Sequence, residues 1–191
     1  MKKFFLFLVI FCIMGCPSIL AAEAQQSTPS TQLEAFSSKT GEIVVKDSYA
    51  IGTITGEYGS RVKILAEVIY SPGKEQQRVK GMRVELYDGG KFEKTAICFL
   101  DMDELNEFSK ACLYIDDLMN KWKDTSRQYT EVTFYSKDKL KFGFYHEETE
   151  QQAFIEGGTV NRPTCFLGSG IDKLALLNQY TSKAIELLSQ K

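Results

Sequence analysis

The triplet Cys98-Phe99-Leu100 ends an alternating run of residues, and residues 101–122, DMDELNEFSKACLYIDDLMNKW, follow it directly. In this second stretch, apolar residues recur every three or four positions: Leu105, Phe108, Cys112, Ile115, Met119 and Trp122. That spacing places them on one side of an α-helix. The stretch therefore predicts a strand that runs into an amphipathic helix.

The same arrangement returns 67 residues later, at Cys165-Phe166-Leu167. Residues 169–189 follow it with an apolar stripe of the same spacing: Leu174, Leu177, Thr181, Ala184 and Leu188. Two strand-to-helix junctions with the same triplet indicate an internal duplication.

Four runs with strand character precede each junction. In the first half they cover residues 49–57, 61–70, 79–87 and 92–100, and in the second half 128–136, 140–146, 151–156 and 160–167. Alternation of apolar and polar residues is typical of half-buried strands, and residues 88–90 (Asp-Gly-Gly) predict a tight hairpin turn. We therefore expect an α+β fold of two tandem repeats, at about 42–124 and 127–191, each with four antiparallel strands and one helix. Each helix is expected to pack on the sheet of its own repeat.

The N-terminus has the pattern of a secretory signal. Lys2 and Lys3 precede an uncharged apolar run over residues 4–14, which is short of the ~20 residues that span a bilayer. Small residues at 22–24 (Ala-Glu-Ala) predict cleavage after Ala24, so residues 1–24 are predicted to be a signal peptide. Residues 13–16 (Ile-Met-Gly-Cys) also resemble a bacterial lipobox, which would place a lipid on Cys16. Both alternatives predict an exported bacterial protein, periplasmic or secreted, and the second predicts a membrane-tethered lipoprotein.

Residues 25–41 are rich in Ser, Thr and Gln and show no sustained period. This composition predicts a disordered linker between the signal and a single globular domain over 42–191. The formal charge of the chain is −2, and the loss of residues 1–24 would make it slightly more negative. Such a balance does not favour nucleic acid or an anionic membrane surface as the partner.

Three cysteines lie beyond the predicted signal: Cys98, Cys112 and Cys165. Cys112 falls on the apolar stripe of the first helix, whereas Cys98 and Cys165 occupy equivalent places in the two repeats. The repeats could join these two in a disulfide if their Cα atoms lie about 5.5 Å apart. The alternative is three buried thiols.

Acidic residues begin the first predicted helix. Asp101 and Glu104 fit a capping pair, in which each side chain accepts from a free backbone N–H. The competing interpretation is an enzyme that uses carboxylates such as Asp101, Asp103 or Glu148. His146, beside Glu147 and Glu148, is either a ligand of a surface metal or the polar end of a strand. The sequence contains no motif that predicts a catalytic residue, a metal site or a cofactor.

One predicted strand face in the second repeat is aromatic. Tyr129, Tyr135 and Tyr145 fall on it, and Lys141 lies beside them. These four residues are the candidate ligand-binding set, as an exposed platform for a protein, glycan or lipid partner. The alternative is that the face packs against the sheet of the first repeat.

The order of four strands and a helix, twice, with the junctions at residues 98–100 and 165–167, resembles the PUR-α and Whirly families. The resemblance implies single-stranded nucleic acid bound on the sheets, with the three tyrosines stacking on bases and Lys137, Lys139 and Lys141 contacting phosphates. The export signal and the charge balance argue against that function. We therefore expect an exported envelope protein that is a non-enzymatic binding or structural module, with a periplasmic enzyme as the alternative.

Overall fold

The computed structural model describes residues 29–159, 162–169 and 171–191. The predicted signal peptide, Cys16 and residues 25–28 lie outside these ranges. The helices are α1 (Gln32–Ser37), α2 (Leu105–Trp122) and α3 (Ile171–Ser189). The strands are β1 (Val45–Thr55), β2 (Arg61–Tyr70), β3 (Val79–Tyr87), β4 (Thr95–Asp101), β5 (Arg127–Tyr135), β6 (Lys141–Glu148), β7 (Glu150–Glu156) and β8 (Thr164–Gly168).

The strands form two antiparallel sheets of four, in the orders β1-β2-β3-β4 and β5-β6-β7-β8. Each sheet is a meander in which sequence neighbours pair, and a helix follows its last strand. The predicted α+β fold with two tandem β4α repeats is confirmed. The junctions are also where the triplets place them, because β4 ends at Asp101 and β8 ends at Gly168.

Alternation along the strands sends one face of each sheet into a common core. Val62 and Ile64 from β2 share this core with Phe142 and Phe144 from β6, and all four are fully buried. The stripes of α2 and α3 complete it with Phe108, Met119, Leu174 and Leu188 among others. A single core thus joins both repeats, as expected where helices cover one face of a sheet.

The helices are exchanged between the repeats. Helix α3 packs on β1, β2 and β3 of the first sheet, whereas α2 packs on β5 and β6 of the second. Two side-chain contacts illustrate this: Trp122 of α2 meets Phe144 with ring centroids 5.9 Å apart, and the Tyr180 ring of α3 lies directly over Gly52 of β1. The helices are packed on the sheets as predicted, but the expectation that each covers its own sheet is wrong. An amphipathic stripe specifies that a helix must be buried and does not specify against which sheet.

Part of the predicted disordered linker is folded. Thr31 caps α1 by accepting a hydrogen bond from the Glu34 amide at 3.1 Å, and Leu33 is fully buried. Helix α1 packs on β2, β3 and β4. Leu33 sits over Gly81, whose missing side chain makes room for it. The prediction of disorder is therefore wrong for residues 31–37, because the burial of one leucine by a distant strand outweighs the polar composition around it.

Two strand ends also differ from the prediction. The β3–β4 connection is a loop over residues 88–94 and not a tight turn at 88–90. The Asp88 carboxylate organises this loop by accepting from the amides of Gly90 and Lys94 at 3.2 and 2.9 Å. Strand β8 begins at Thr164, directly after Pro163, which fits a proline at the start of an edge strand.

Candidate functional site

The outer face of the second sheet, on the side away from α2, carries the tyrosines singled out by the sequence. Tyr129 and Tyr135 project from β5, Lys141 and Tyr145 from β6, and Phe154 from β7. We call these five residues the tyrosine face. Tyr129 is 56% exposed and Tyr135 61%. The alternative prediction, that this face packs against the first sheet, is therefore wrong.

The aromatic rings form a diagonal stack across three strands. The ring centroids of Tyr129 and Tyr145 are 6.2 Å apart at 28°, and those of Tyr145 and Phe154 are 4.4 Å apart at 15°. Phe154 is fully buried because it lies opposite Gly143, and the Tyr145 ring and the Lys141 ammonium cover it. Offset stacks of this kind hold rings in place. Tyr129 is thus exposed at the end of the stack, and Tyr145 is partly structural. Tyr135 lies outside the stack, with the Lys141 ammonium 5.6 Å from its ring centroid.

Lys141 is held by its neighbours on the same face. Its ammonium donates to Glu131 Oε1 at 2.6 Å and lies 4.9 Å from the Phe154 ring centroid. Burial of the side chain opposes its charge, but the hydrogen bond and the charge of Glu131 outweigh burial and raise the pKa of Lys141. The charge of Lys141 is therefore already compensated within the sheet.

A pocket of about 350 Å³ opens at one end of the tyrosine face. Tyr129 and Tyr145 form its aromatic wall, and Glu147, Glu150 and Gln152 complete it. Burial against these neighbours raises the pKa of both tyrosines, and for Tyr129 the charge of Glu131 adds to the effect. Both tyrosines are neutral at physiological pH and can donate or accept hydrogen bonds through their hydroxyls.

The sequence missed Glu147, Glu150, Gln152 and Phe154 as members of this site. A signal for them was present, since Glu147 and Tyr145 are two residues apart on one strand and must share a face. The pairing of β6 with β7, which places Glu150 opposite Glu147 and Gln152 opposite Tyr145, completes the pocket. That register depends on where the intervening turn falls, which polar residues alone do not specify.

Of the acids proposed as catalytic, Asp101 and Asp103 lie at one pocket and Glu148 lies apart from them. The Asp101 carboxylate accepts from the amides of Gln32 and Leu33 at 2.7 and 3.1 Å, and Asp103 pairs with Lys137 at 3.0 Å. Glu148 is exposed in the β6–β7 turn. Asp101 and Asp103 line a second pocket, of about 330 Å³, with Arg78 and Lys80, but there their charges are already partnered.

The predicted capping pair of α2 is not formed. Glu104 is the N-cap residue and its side chain makes no capping hydrogen bond. Its carboxylate accepts instead from the Lys137 amide at 2.7 Å, while Asp101 binds the first turn of α1. Both acids are used as anchors for distant segments, because each lies next to free amides of another element.

His146 is fully buried and faces the core. Its Nε2 lies 3.0 Å from the Thr125 carbonyl, which can only accept, so Nε2 carries the proton and Nδ1 faces the Gln151 amide at 3.4 Å. It is therefore neither a ligand of a surface metal nor a solvated strand end. Among the described residues, no three His, Cys, Asp or Glu side chains are placed to hold a metal ion.

Cys98, Cys112 and Cys165 are free thiols, and all three are buried. Burial raises the pKa of Cys98 to about 12 and that of Cys165 to about 11, and it also raises the pKa of Cys112. The Cys165 thiol lies 3.2 Å from the Tyr87 carbonyl oxygen, which it meets as a donor. Of the two alternatives that the sequence left open, the Cys98–Cys165 disulfide is thus not formed, and the three cysteines are buried thiols of the core.

Comparisons of the chain with protein-family models, with curated proteins and with solved structures found no match. In the part of the chain that the structure describes, no helix has the length and apolar character needed to cross a membrane.

Proposed function

We propose that this chain is an exported binding protein of the bacterial envelope, without catalytic activity, that holds a partner on the tyrosine face. The support for export is the signal pattern of residues 1–24, with lipidation at Cys16 as the alternative route to the envelope. A protein, a glycan or a lipid surface would each suit an exposed tyrosine platform.

The main support for the proposal is that the outer faces of the two sheets differ in how far they are covered. On the first sheet, α1 covers β2, β3 and β4 and buries Leu33. On the second sheet, Tyr129 and Tyr135 are more than half exposed. Tyrosine is enriched where proteins contact partners, because it offers a large apolar area and a hydroxyl at little entropic cost.

Single-stranded nucleic acid, which the resemblance to PUR-α and Whirly proteins would suggest, fits this face poorly. Stacking platforms for nucleic acid combine aromatic rings with positive charge along the phosphate backbone. Here Glu131 and Glu147 lie among the rings, and the one lysine of the tyrosine face is paired with Glu131. A carboxylate enzyme is also less well supported, since Glu148 lies apart from Asp101 and Asp103, and the carboxylates of these two are already partnered.

The test is to place a photo-crosslinking amino acid at position 135 of the full-length protein in its native host. Position 114 is the matched control, because Tyr114 is also exposed, at 64%, but lies on α2. We expect discrete crosslinked products from position 135 and none from position 114. Equal products from both positions, or none from position 135, would contradict binding at the tyrosine face.

The location is tested separately, by the intact mass of the protein purified from its host. A chain that begins at Gln25 or carries a diacyl or triacyl group on Cys16 supports export. An unprocessed chain that retains Met1 or starts at Lys2 would contradict it.

A further inference from the structure

The pocket between Tyr129 and Tyr145 offers hydrogen-bond acceptors on nearly every side. Glu147 and Glu150 present carboxylates. The Gln152 amide nitrogen donates to Glu57 Oε2 at 3.4 Å and to the Ala153 carbonyl at 3.2 Å, which leaves its oxygen as the free group. The Tyr129 hydroxyl donates to Glu131 Oε2 at 3.3 Å. A ligand that matches this lining must supply donors.

The two acidic residues of the pocket are opposed across the strand pair, and neither has a counter-ion among the described residues. Glu147 and Glu150 are directly opposed partners of β6 and β7, and like charges in this position destabilise a strand pair. The ion pairs formed by the described residues include neither of them. A positive charge in the pocket would relieve this repulsion.

The aromatic wall favours the same kind of ligand. The π-faces of tyrosine attract ammonium and guanidinium groups, most strongly where water is partly excluded. The Tyr145 ring cannot turn away, because it is stacked at 4.4 Å on the buried Phe154. The Tyr129 ring forms the rest of the wall, with its centroid 6.2 Å from that of Tyr145.

We propose that this pocket binds an organic cation: an ammonium or guanidinium group on an aliphatic stem. The stem would lie along the rings of Tyr129 and Tyr145, and the charged group would donate to Glu147, Glu150 and the oxygen of Gln152. This inference rests on the proposed function, since it names the chemistry that the tyrosine face recognises. Such a group could come from a free amine or from a lysine or arginine side chain of a protein partner.

The test is a titration of the full-length protein with three probes, followed by tyrosine NMR signals and calorimetry. The probes are 1,5-diaminopentane, N-acetyl-lysine methylamide and its uncharged analogue N-acetyl-norleucine methylamide. We expect saturable binding of the two cations, weakened by added salt, and no saturation with the norleucine probe. Equal binding of all three probes, or of none, would overturn the inference.

Substitutions locate the site. Glu147→Gln and Glu150→Gln should each weaken cation binding by about tenfold, the effect of removing one nearby charge. Glu148→Gln is the matched control, because Glu148 belongs to the same turn and is exposed but does not line the pocket. Equal losses in all three variants would mean a diffuse charge effect and would contradict a defined site.

Two further comparisons distinguish the two possible sources of the cation, and distinguish the cation pocket from the proposed binding function. Tighter binding of the diamine than of an extended lysine-containing hexapeptide identifies a free amine, and the reverse order identifies a partner's side chain. If no cation binds but position 135 still forms specific crosslinks, this inference fails while the proposed function stands. If cations bind and position 135 gives no crosslinks, the proposal that a partner covers the tyrosine face is contradicted, and the cation-binding pocket is still supported.

Discussion

Asp101 is the residue that holds the N-terminal helix on the first sheet. Its carboxylate is buried and accepts from two backbone amides of α1. Removal of this charged acceptor leaves the buried Leu33 amide and the partly buried Gln32 amide without a partner, at a cost of about 1–3 kcal/mol. We therefore expect Asp101→Ala to lower the free energy of unfolding by that amount and to speed hydrogen exchange at Gln32 and Leu33.

Asp103→Ala is the control for this prediction. Asp103 is two residues away, is solvent-exposed and pairs with the ammonium of Lys137, so we expect little change in stability. Similar effects of the two substitutions would contradict the anchoring role of Asp101.

Glu104 should make the protein less stable as the pH rises. Burial raises the pKa of its carboxyl, and the hydrogen bond from the Lys137 amide offsets burial only in part. Its other oxygen, Oε2, is buried and has no hydrogen-bond partner in the part of the chain that the structure describes. A group with a raised pKa in the folded state stabilises that state most below its unfolded pKa, near 4.5, and loses this contribution as the pH rises through the folded value.

We therefore expect Glu104→Gln to gain stability relative to the native protein as the pH increases from about 4.5 towards neutrality. Denaturant unfolding of both proteins at several pH values measures the difference. Glu107→Gln, an exposed position on the same helix, should show no such trend. If the stability of Glu104→Gln stays constant or falls relative to that of the native protein as the pH rises, the raised pKa of Glu104 is contradicted.

These acids also show where prediction from sequence stops at the residue scale. Asp and Glu at a helix start are favoured by the local backbone alone, so the pattern at residues 101–104 predicted a local cap. The carboxylates instead bind amides 33 to 69 residues away in the chain. Nothing in a local window reports which distant amides lack a partner.

At the scale of elements, α1 is short, and its stability must come from contact with the sheet because six residues are too few for an isolated helix. Leu33 is its fully buried residue. Leu33→Ala should therefore destabilise the protein by about 2–5 kcal/mol, or by less if α1 detaches on its own.

Two measurements distinguish these outcomes. A loss of global stability in denaturant unfolding indicates that α1 is part of the cooperative unit, whereas rapid proteolysis at residues 29–44 with unchanged unfolding indicates local detachment. Gln32→Ala, at an exposed position of the same helix, is the control. No change in either measurement would contradict the docking of α1.

Strands and long helices were predictable for a physical reason. A strand with one buried face must alternate, and a helix with one buried side must repeat every three or four residues, so β6 and α2 carry their structure in their own residues. The same holds for the tyrosine face, since Tyr129 and Tyr135 are an even number of residues apart on one strand. Prediction of the pocket requires the register between β6 and β7, and prediction of α1 requires the surface on which it packs. Neither is encoded within one element.

At the scale of the whole molecule, the exchanged helices make the two repeats depend on each other. Each sheet buries its inner face under the helix of the other repeat, so neither four-strand unit retains its cover when the repeats separate. The side of the second sheet opposite the tyrosine face is therefore supported by α2, a helix that belongs to the first repeat.

The contact between Gly52 and Tyr180 tests this exchange directly. A Cβ atom at Gly52 would lie 2.3 Å from the Tyr180 ring, so Gly52→Ala must displace the ring or α3. We expect a loss of about 1–3 kcal/mol in the free energy of unfolding, the usual cost of overpacking. Gly90→Ala is the matched control, because a Cβ atom at Gly90 would lie 3.6 Å from its nearest neighbour, the Asp88 carboxylate.

The second half of the experiment is a double-mutant cycle with Tyr180→Ala. If the ring of the second repeat's helix rests on the first repeat's sheet, removal of the ring makes room for the new methyl group. Gly52→Ala should then cost less in the Tyr180→Ala background than in the native protein, with a coupling energy of at least about 0.5 kcal/mol. Additive effects would mean that Tyr180 and Gly52 do not meet, which would contradict this packing of α3 on the first sheet.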